Sequence, residues 1–492
     1  MRYLPKFFAI IFLPVSMYCW APHFSEFSGT RLETYKLVAP DSEDGDEFAY
    51  GFSIDTKEPL PGEHGIIAVS SLPSYSRSEL IAAADTPSGP VSVYTEPGSV
   101  YLFEFSGSSW DQVAKIDGPR ILEALLPPEP PVIIPIETGF GASVLIHGNL
   151  LFVGATKLEA VKVFRKIGTT GWHYEGDVIP DDATYSTTEF GRSIQLVDDN
   201  LVIAAEGAVY VYGPGTAPYK WDQKQVLHSV PFDPMYGADL DLSDGTLAVG
   251  SMYGVFPGGP ISGVVELFEY DISLAKFLPT GSVWPQDLHP AHSEFGHAVS
   301  VSGDDMLITH SRYTHGVVGE CCEAGTAYTY EKAGNAWALG ANSDAYKERL
   351  DTNNPVKRGE FGWDGDILGD LAVITDSYYD LDGISSSGWG VGHLFVRGAD
   401  GSWNHNSLLS TSDAEAGTYF GDRVGITKGG LVLISDHNKD LGVGSDGDGA
   451  LYIYDLAHTH GFFSEKVPAL GTLSLLLALL ILGFGAAIKR GK

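Results

Sequence analysis

The residues whose types and spacing best suit chemistry are acids in loops. Asp436, Asn438 and Asp440 alternate in "SDHNKDLGVGSDGDG", and Asp376, Asp380 and Asp382 stand in "TDSYYDLDG". Alternating side-chain oxygens are how a loop wraps Ca2+, so Asp436, Asn438 and Asp440 are the candidate metal ligands. The pattern is imperfect: Leu441 stands where the sharp turn wants glycine, and the ninth position is Gly444 rather than an acid. The competing reading is a solvated loop rich in turn residues. His310, His315, His458 and His460 fall in "THSRYTH" and "HTH" without carboxylate or cysteine partners at helical or hairpin spacing. Packed or surface histidines fit them better than metal ligands. Cys321 and Cys322 are adjacent, with no zinc spacing. A G-x-S-x-G nucleophile elbow is absent. Carboxylates are too numerous to single out an acid and a base, so no catalytic residue is nominated. "FGASVLIHGNLLFVGA" (140–155) has glycines at 141, 148 and 154. That is not the G-x-G-x-x-G spacing of a dinucleotide cradle, and the stretch alternates as a strand does.

The elements that must position these groups come from a repeat. The stretch at Phe140 returns as "FGRSIQLVDDNLVIAA" at Phe190 and "YGADLDLSDGTLAVGS" at Tyr236. It returns again as "FGHAVSVSGDDMLITHS" at Phe295, "FGWDGDILGDLAVITDS" at Phe361 and "FGDRVGITKGGLVLISD" at Phe420. A looser copy is read from Tyr50, which makes seven. The recurrent pairs are Phe140-Gly141, Phe190-Gly191, Tyr236-Gly237, Phe295-Gly296, Phe361-Gly362 and Phe420-Gly421. A third strand follows each copy, such as "GSVYLFEF" from Gly98 or "GALYIYD" from Gly449. A fourth often carries tryptophan: Trp110, Trp172, Trp221, Trp337 and Trp403. Units of four short strands at this spacing predict an all-β, seven-bladed β-propeller of four-stranded blades over residues 30–456. The last copy lacks a fourth strand, and "RLETYKLVAPDSEDGDEFAYGFS" offers one. Pairing of the N- and C-terminal segments is expected to close the ring.

The pattern "FG…SV…GD…LAVGA…GSVYVF" resembles the FG-GAP repeat of integrin alpha heads and of bacterial exported proteins. Integrin-type copies carry a D-x-D-x-D-G-x-x-D calcium loop between the first two strands. Here that place holds "IHGN", "VDDN" or "SDGT". Such hairpins are too short for converging oxygens, so that calcium site is not carried over. No other cofactor is expected.

Both ends of the chain read as addresses. Residues 1–21 have a basic start and an apolar run from Phe7 to Val15, the form of a signal peptide. After a linker at 457–466, the segment 467–492 holds an uncharged run from Leu470 to Ile488 and then Lys489, Arg490 and Lys492. That is long enough for one transmembrane helix with a cytoplasmic basic tail. Val467, Pro468, Ala469 and Leu470 resemble the start of IPTL and PEP-CTERM sorting signals, which implies a C-terminal sorting protease as a partner. The chain is therefore expected to be exported and bacterial, held at a membrane or cell surface or released.

Net charge is −33, from 63 acids and 30 bases, which argues against a nucleic-acid partner. Turns between strands one and two are short, while connections at the other end are long: 71–97, 106–139 in part, 251–262, 312–324, 341–360, 377–389 and 435–448, with the apolar, proline-rich 121–135 as an insertion among them. Long loops on a rigid scaffold are where binding resides. Tyr378, Tyr379 and Trp389 are the candidate contacts on that face, against a reading in which they pack their own loop. Three function classes fit: a binding or adhesion module for an extracellular protein or polysaccharide, a polysaccharide hydrolase or lyase, and a structural matrix component. Carboxylates grouped with Tyr or His at the mouth of the central channel would favour the enzyme. The polar residues of the first strands, Ser143, Arg192, Asp239, His297, Asp364 and Arg423, are mixed in type and do not obviously offer that group, although Arg192 and Arg423 with Asp239 and Asp364 could still form a polar channel mouth.

Overall fold

A computed structural model describes residues 29–456, apart from 42–44, 56–64, 73–79, 87–88, 95–96, 120, 126–131, 137, 169–170, 182–184, 217–219, 256–261, 285–293, 314–323, 335, 338–345, 353–359, 378–388, 415–417, 419 and 442–446. The chain is a seven-bladed β-propeller. Blade 2 shows the pattern: Phe140–His147, Leu150–Ala155, Ala160–Lys166 and Trp172–Val178, antiparallel in that order. The first strands of neighbouring blades lie side by side and ring the axis. Second and third strands are covered on both faces by the flanking blades, so they are largely apolar. Thr246–Ser251 and Ala450–Asp455 are buried at every position. Outer strands alternate instead, as Trp110–Asp117 does, because one face meets water.

The ring closes as the repeat count requires. Blade 7 is built from Val424–Ile426, Leu431–Asp436 and Ala450–Asp455, and its outer strand is the N-terminal Tyr35–Leu37, with Lys36 opposite Tyr452. One pairing was not legible in the repeat. Thr30–Leu32 adds in parallel to Trp403–Ser410 as a fifth strand of blade 6, so the N-terminus ties two blades together. The insertions at 71–97 and 121–135 hold hairpins, Leu80–Thr86 with Gly89–Tyr94 and Ile121–Leu125 with Val132–Ile136. Blade 5 has a broken outer edge, since both Ala336–Trp337 and Glu348–Leu350 pair with Thr326–Ala333.

The phenylalanine and glycine of the repeat have separate roles. Phe140, Phe190, Phe295 and Phe361 are fully buried. Phe190 meets Tyr210 of its own third strand edge to face at 5.3 Å, as Phe420 meets Tyr452 at 5.4 Å. The following glycine has positive φ, +98° at Gly141 and +102° at Gly421, in the region that favours glycine. The first copy needs correction. It begins at Phe48-Ala49, not Tyr50-Gly51. Phe48 pairs with Ser71 and the register then shifts before Phe52, just as Phe140 pairs with Ala155 and shifts before Val144. Ala49 takes the positive φ, +68°. Tyr50 thus becomes the residue after the pair.

Among the described residues no helix is long and apolar enough to cross a membrane. Residues 1–21 and 457–492, including Val467, Pro468, Ala469 and Leu470, lie outside the described residues. If the N-terminus staples blades 6 and 7, deleting 30–37 leaves two unpaired edges. The thermal midpoint is then expected to fall by about 10 °C or more. A midpoint unchanged in differential scanning calorimetry would show that those pairings are dispensable.

Candidate functional site

Two-residue turns such as Gly148-Asn149 and Asp244-Gly245 close the first hairpins of their blades at one end of the ring. The starts of the first strands and the loops after the second strands meet at the other end, and there the axial channel has its mouth. The residue after each Phe-Gly pair stands on that mouth: Tyr50, Ala142, Arg192, Ala238, His297, Trp363 and Asp422 for blades 1 to 7. The two sides differ. Across blades 5, 6, 7 and 1 the side chains form a continuous arc. His297 lies 4.8 Å from Trp363, ring to ring. The Trp363 indole N–H donates to Asp422 Oδ1 at 3.1 Å. Asp422 Oδ2 pairs with His437 Nδ1 at 3.0 Å, and the His437 ring meets Tyr50 edge to face at 5.7 Å. On the opposite side Ala142 and Ala238 leave room. Arg192 folds away onto the carbonyl oxygens of Tyr236, Pro234 and Gly237, at 2.6, 3.2 and 3.3 Å, and so ties blade 3 to blade 4.

Below the arc the channel is lined with acids, and these are first of all structural. Inner strands of adjacent blades are bridged by side chains that accept backbone N–H groups of the next blade. Asp239 Oδ2 accepts from Val299 at 2.6 Å and Asp241 Oδ2 from Val301 at 2.7 Å. Asp364 Oδ2 accepts from Val424 at 2.8 Å and Asp366 Oδ2 from Ile426 at 2.6 Å. Ser300 donates to Asp366 Oδ1 at 2.6 Å and accepts from Ile367. Each carboxylate thereby satisfies a donor that no neighbouring strand reaches.

Burial in this crowded channel pushes the acids up, Asp239 to about 6 and Asp241 and Asp364 to about 7, with neighbouring carboxylates adding to the effect. Burial also lowers His297 to about 4, helped by the charge of Arg423. Asp422 and His437 move the other way. Burial opposes both charges, but their mutual pairing holds Asp422 below and His437 above the usual range. Arg423 rises from blade 7 into this group. Burial works against its charge, and the fields of Asp364, Asp422 and Asp239 outweigh it. Protein surrounds Arg423, yet its side chain is open to solvent, as befits a group in a channel, and it makes no ion pair among the described residues.

Of the expected contacts, Trp389 is half-buried just before Val391–Arg397, while Tyr378 and Tyr379 lie outside the described residues. Asp436 is buried at the end of the second strand of blade 7. Asn438 turns its amide to His437 at 3.1 Å. Between Asn438 and Asp440, Lys439 is buried, and its ammonium donates to the Asp413 carbonyl at 2.6 Å. Among the described residues no group of three or more His, Cys, Asp or Glu is arranged to hold a metal ion. His310 packs against Phe295, Tyr313 and Tyr328. His315, His458, His460, Cys321 and Cys322 lie outside the described residues. Arg192 and Arg423 do not share the mouth as like partners: only Arg423 joins Asp239 and Asp364. The carboxylate and histidine group that no single strand offers is assembled from several blades. Reading the position after Phe-Gly across all copies would have found most of it. His437 comes from a loop and carries no repeat signal.

No protein-family model and no curated protein matches the chain. Among solved structures it is similar to the crystal structure of a protein from Lactobacillus plantarum, with 15% identity and a TM-score of 0.42, over 74% of this chain and 96% of that chain.

The acids make a prediction about pH. A folded pKa raised above the unfolded value means that the folded state holds protons the unfolded chain has lost. Stability then falls as pH rises through the window between them. For Asp241 that window runs from its ordinary value, 3.8, to about 7. Asp241→Asn keeps an uncharged carbonyl acceptor there. Its thermal midpoint, relative to the unsubstituted chain, should improve steadily from pH 4 to pH 7. A difference constant with pH would show that Asp241 titrates normally.

Proposed function

We propose that this chain is an exported, surface-tethered FG-GAP-like propeller that binds an extracellular protein or polysaccharide through its long-loop end. The observation that carries this reading is the inequality of the two ends. Tight hairpin turns make one end plain, while the long connections of the sequence leave from the other, where rings, carboxylates and a guanidinium converge on the channel mouth. Concave sites with a few convergent polar groups on a rigid frame are the usual place for a ligand. The reading includes a signal peptide at 1–21, a transmembrane or sorting segment at 467–492, and a protease acting on the latter. Those parts rest on the sequence pattern of the two termini.

A second reading, a polysaccharide hydrolase or lyase, is favoured by one feature. Asp239, Asp364 and Asp422 gather near His297, His437 and Tyr50, and burial separates the proton affinities of these groups. A screen of polysaccharides and matrix proteins, run with calcium and with a chelator, tests both readings. Retention of a partner of unchanged length, lost when 377–389 is replaced by a short turn, is the expected outcome. A polysaccharide shortened on incubation would favour the enzyme, and binding indifferent to that replacement would remove the long-loop end from the account.

A further inference from the structure

We propose that the channel mouth is a binding site for a neutral saccharide, seated against the arc His297–Trp363–Asp422–His437–Tyr50 and filling the space left by Ala142 and Ala238. This rests on the reading of the long-loop end as the working face, and it names the ligand class and the subsite.

Shape comes first. Seven equivalent positions ring the mouth, and a uniform ring of large residues would plug it. Here four consecutive blades carry the bulk, two carry alanine, and the remaining arginine is drawn aside by three carbonyl oxygens of the next blade. The result is a one-sided mouth, with large side chains on four blades and alanines facing them. The arc is set rigidly. Asp422 is held from both sides, by the Trp363 indole N–H at 3.1 Å and by His437 at 3.0 Å. All five side chains of the arc remain partly open to solvent, so a ligand can reach them.

Chemistry selects the occupant. The arc presents aromatic and imidazole surface, which suits the C–H faces of a sugar ring. At its edge stands Arg423, a donor with no ion pair of its own among the described residues, beside carboxylates that only accept. A sugar hydroxyl both donates and accepts, so it can bridge Arg423 to Asp364 or Asp239. An anionic ligand meets Asp239, Asp364 and Asp422 in a protein of net charge −33. A cationic ligand meets Arg423. A neutral polyol meets neither repulsion. An apolar chain would strip water from the guanidinium and carboxylates without pairing them.

The experiment uses the full chain and a panel of oligosaccharides: glucan, mannan, galactan and chitin hexamers, with oligogalacturonate as the anionic member. Binding is read by isothermal titration calorimetry. Ala238→Trp fills the alanine side without removing any polar contact, and Arg423→Gln removes the donor. Phe232→Ala, at an exposed ring on the connector between blades 3 and 4, serves as the control. At least one neutral hexamer should bind, at least tenfold more weakly to Ala238→Trp and to Arg423→Gln, with Phe232→Ala unchanged. Should Arg423→Gln fail to fold, Ala238→Trp still decides. Binding of oligogalacturonate alone, binding by none of the panel, or equal binding by all variants would overturn the proposal. A protein or polysaccharide that binds the long-loop end equally well in Ala238→Trp would leave the working face standing and dismiss the mouth.

Discussion

The closure of this ring depends on one backbone contact. In five of the seven blades the glycine that opens the third strand lies directly beneath the phenylalanine of the next blade; in blade 2 Glu159 stands there, and in blade 3 Gly207 meets the Phe232 ring instead. A Cβ at Gly390 would overlap the carbonyl oxygen of Phe420, and a Cβ at Gly325 that of Phe361. Gly449 makes the same contact with Phe48, which joins the last blade to the first. Only an absent side chain allows the two backbones to come so close. The contact fixes the distance and rotation between blades, and so it decides which side chains share the channel mouth. Tyr50 of blade 1 reaches His437 of blade 7 across a joint that carries this contact, Gly449 on Phe48.

The channel shows how structure and site use the same atoms. Inner strands diverge from one another around the axis, which leaves N–H groups without backbone partners. Asp239, Asp241, Asp364 and Asp366 supply acceptors to them. Their burial raises the cost of charge, and Arg423 moderates it for Asp239 and Asp364 without pairing closely to either. A set of acids placed to hold blades together thus also lines the channel with polar groups. The residues after Phe-Gly add rings, an imidazole and a carboxylate to that lining at the mouth.

Much of the fold was legible in the sequence because each blade is a local unit. Phe-Gly, the two-residue turn, the glycine before the third strand and the tryptophan of the fourth recur at short range, and the missing fourth strand of the last copy announced the closure. What escaped was long-range or off-register. Thr30–Leu32 joins blade 6 across the ring with no pattern of its own. Phe48-Ala49 was masked by the nearby Tyr50-Gly51, since alanine seldom takes positive φ. The mouth was only half visible. His297, Asp364 and Arg423 stood out as polar residues on first strands. Trp363 and Asp422 became meaningful only once the blades were laid side by side, and His437 only once a loop was folded back over them.

The joint between blades 7 and 1 offers the most direct test. Gly449 and Gly107 both have positive φ, +83° and +96°, but only Gly449 has a backbone neighbour; around Gly107 there is open space. Gly107→Ala should cost about 1 kcal/mol, the strain of a left-handed alanine. Gly449→Ala carries that strain plus a backbone collision and should cost about 3 kcal/mol or more in urea unfolding. Equal losses in the two variants would contradict the account, because they would mean that the ring does not close through this contact.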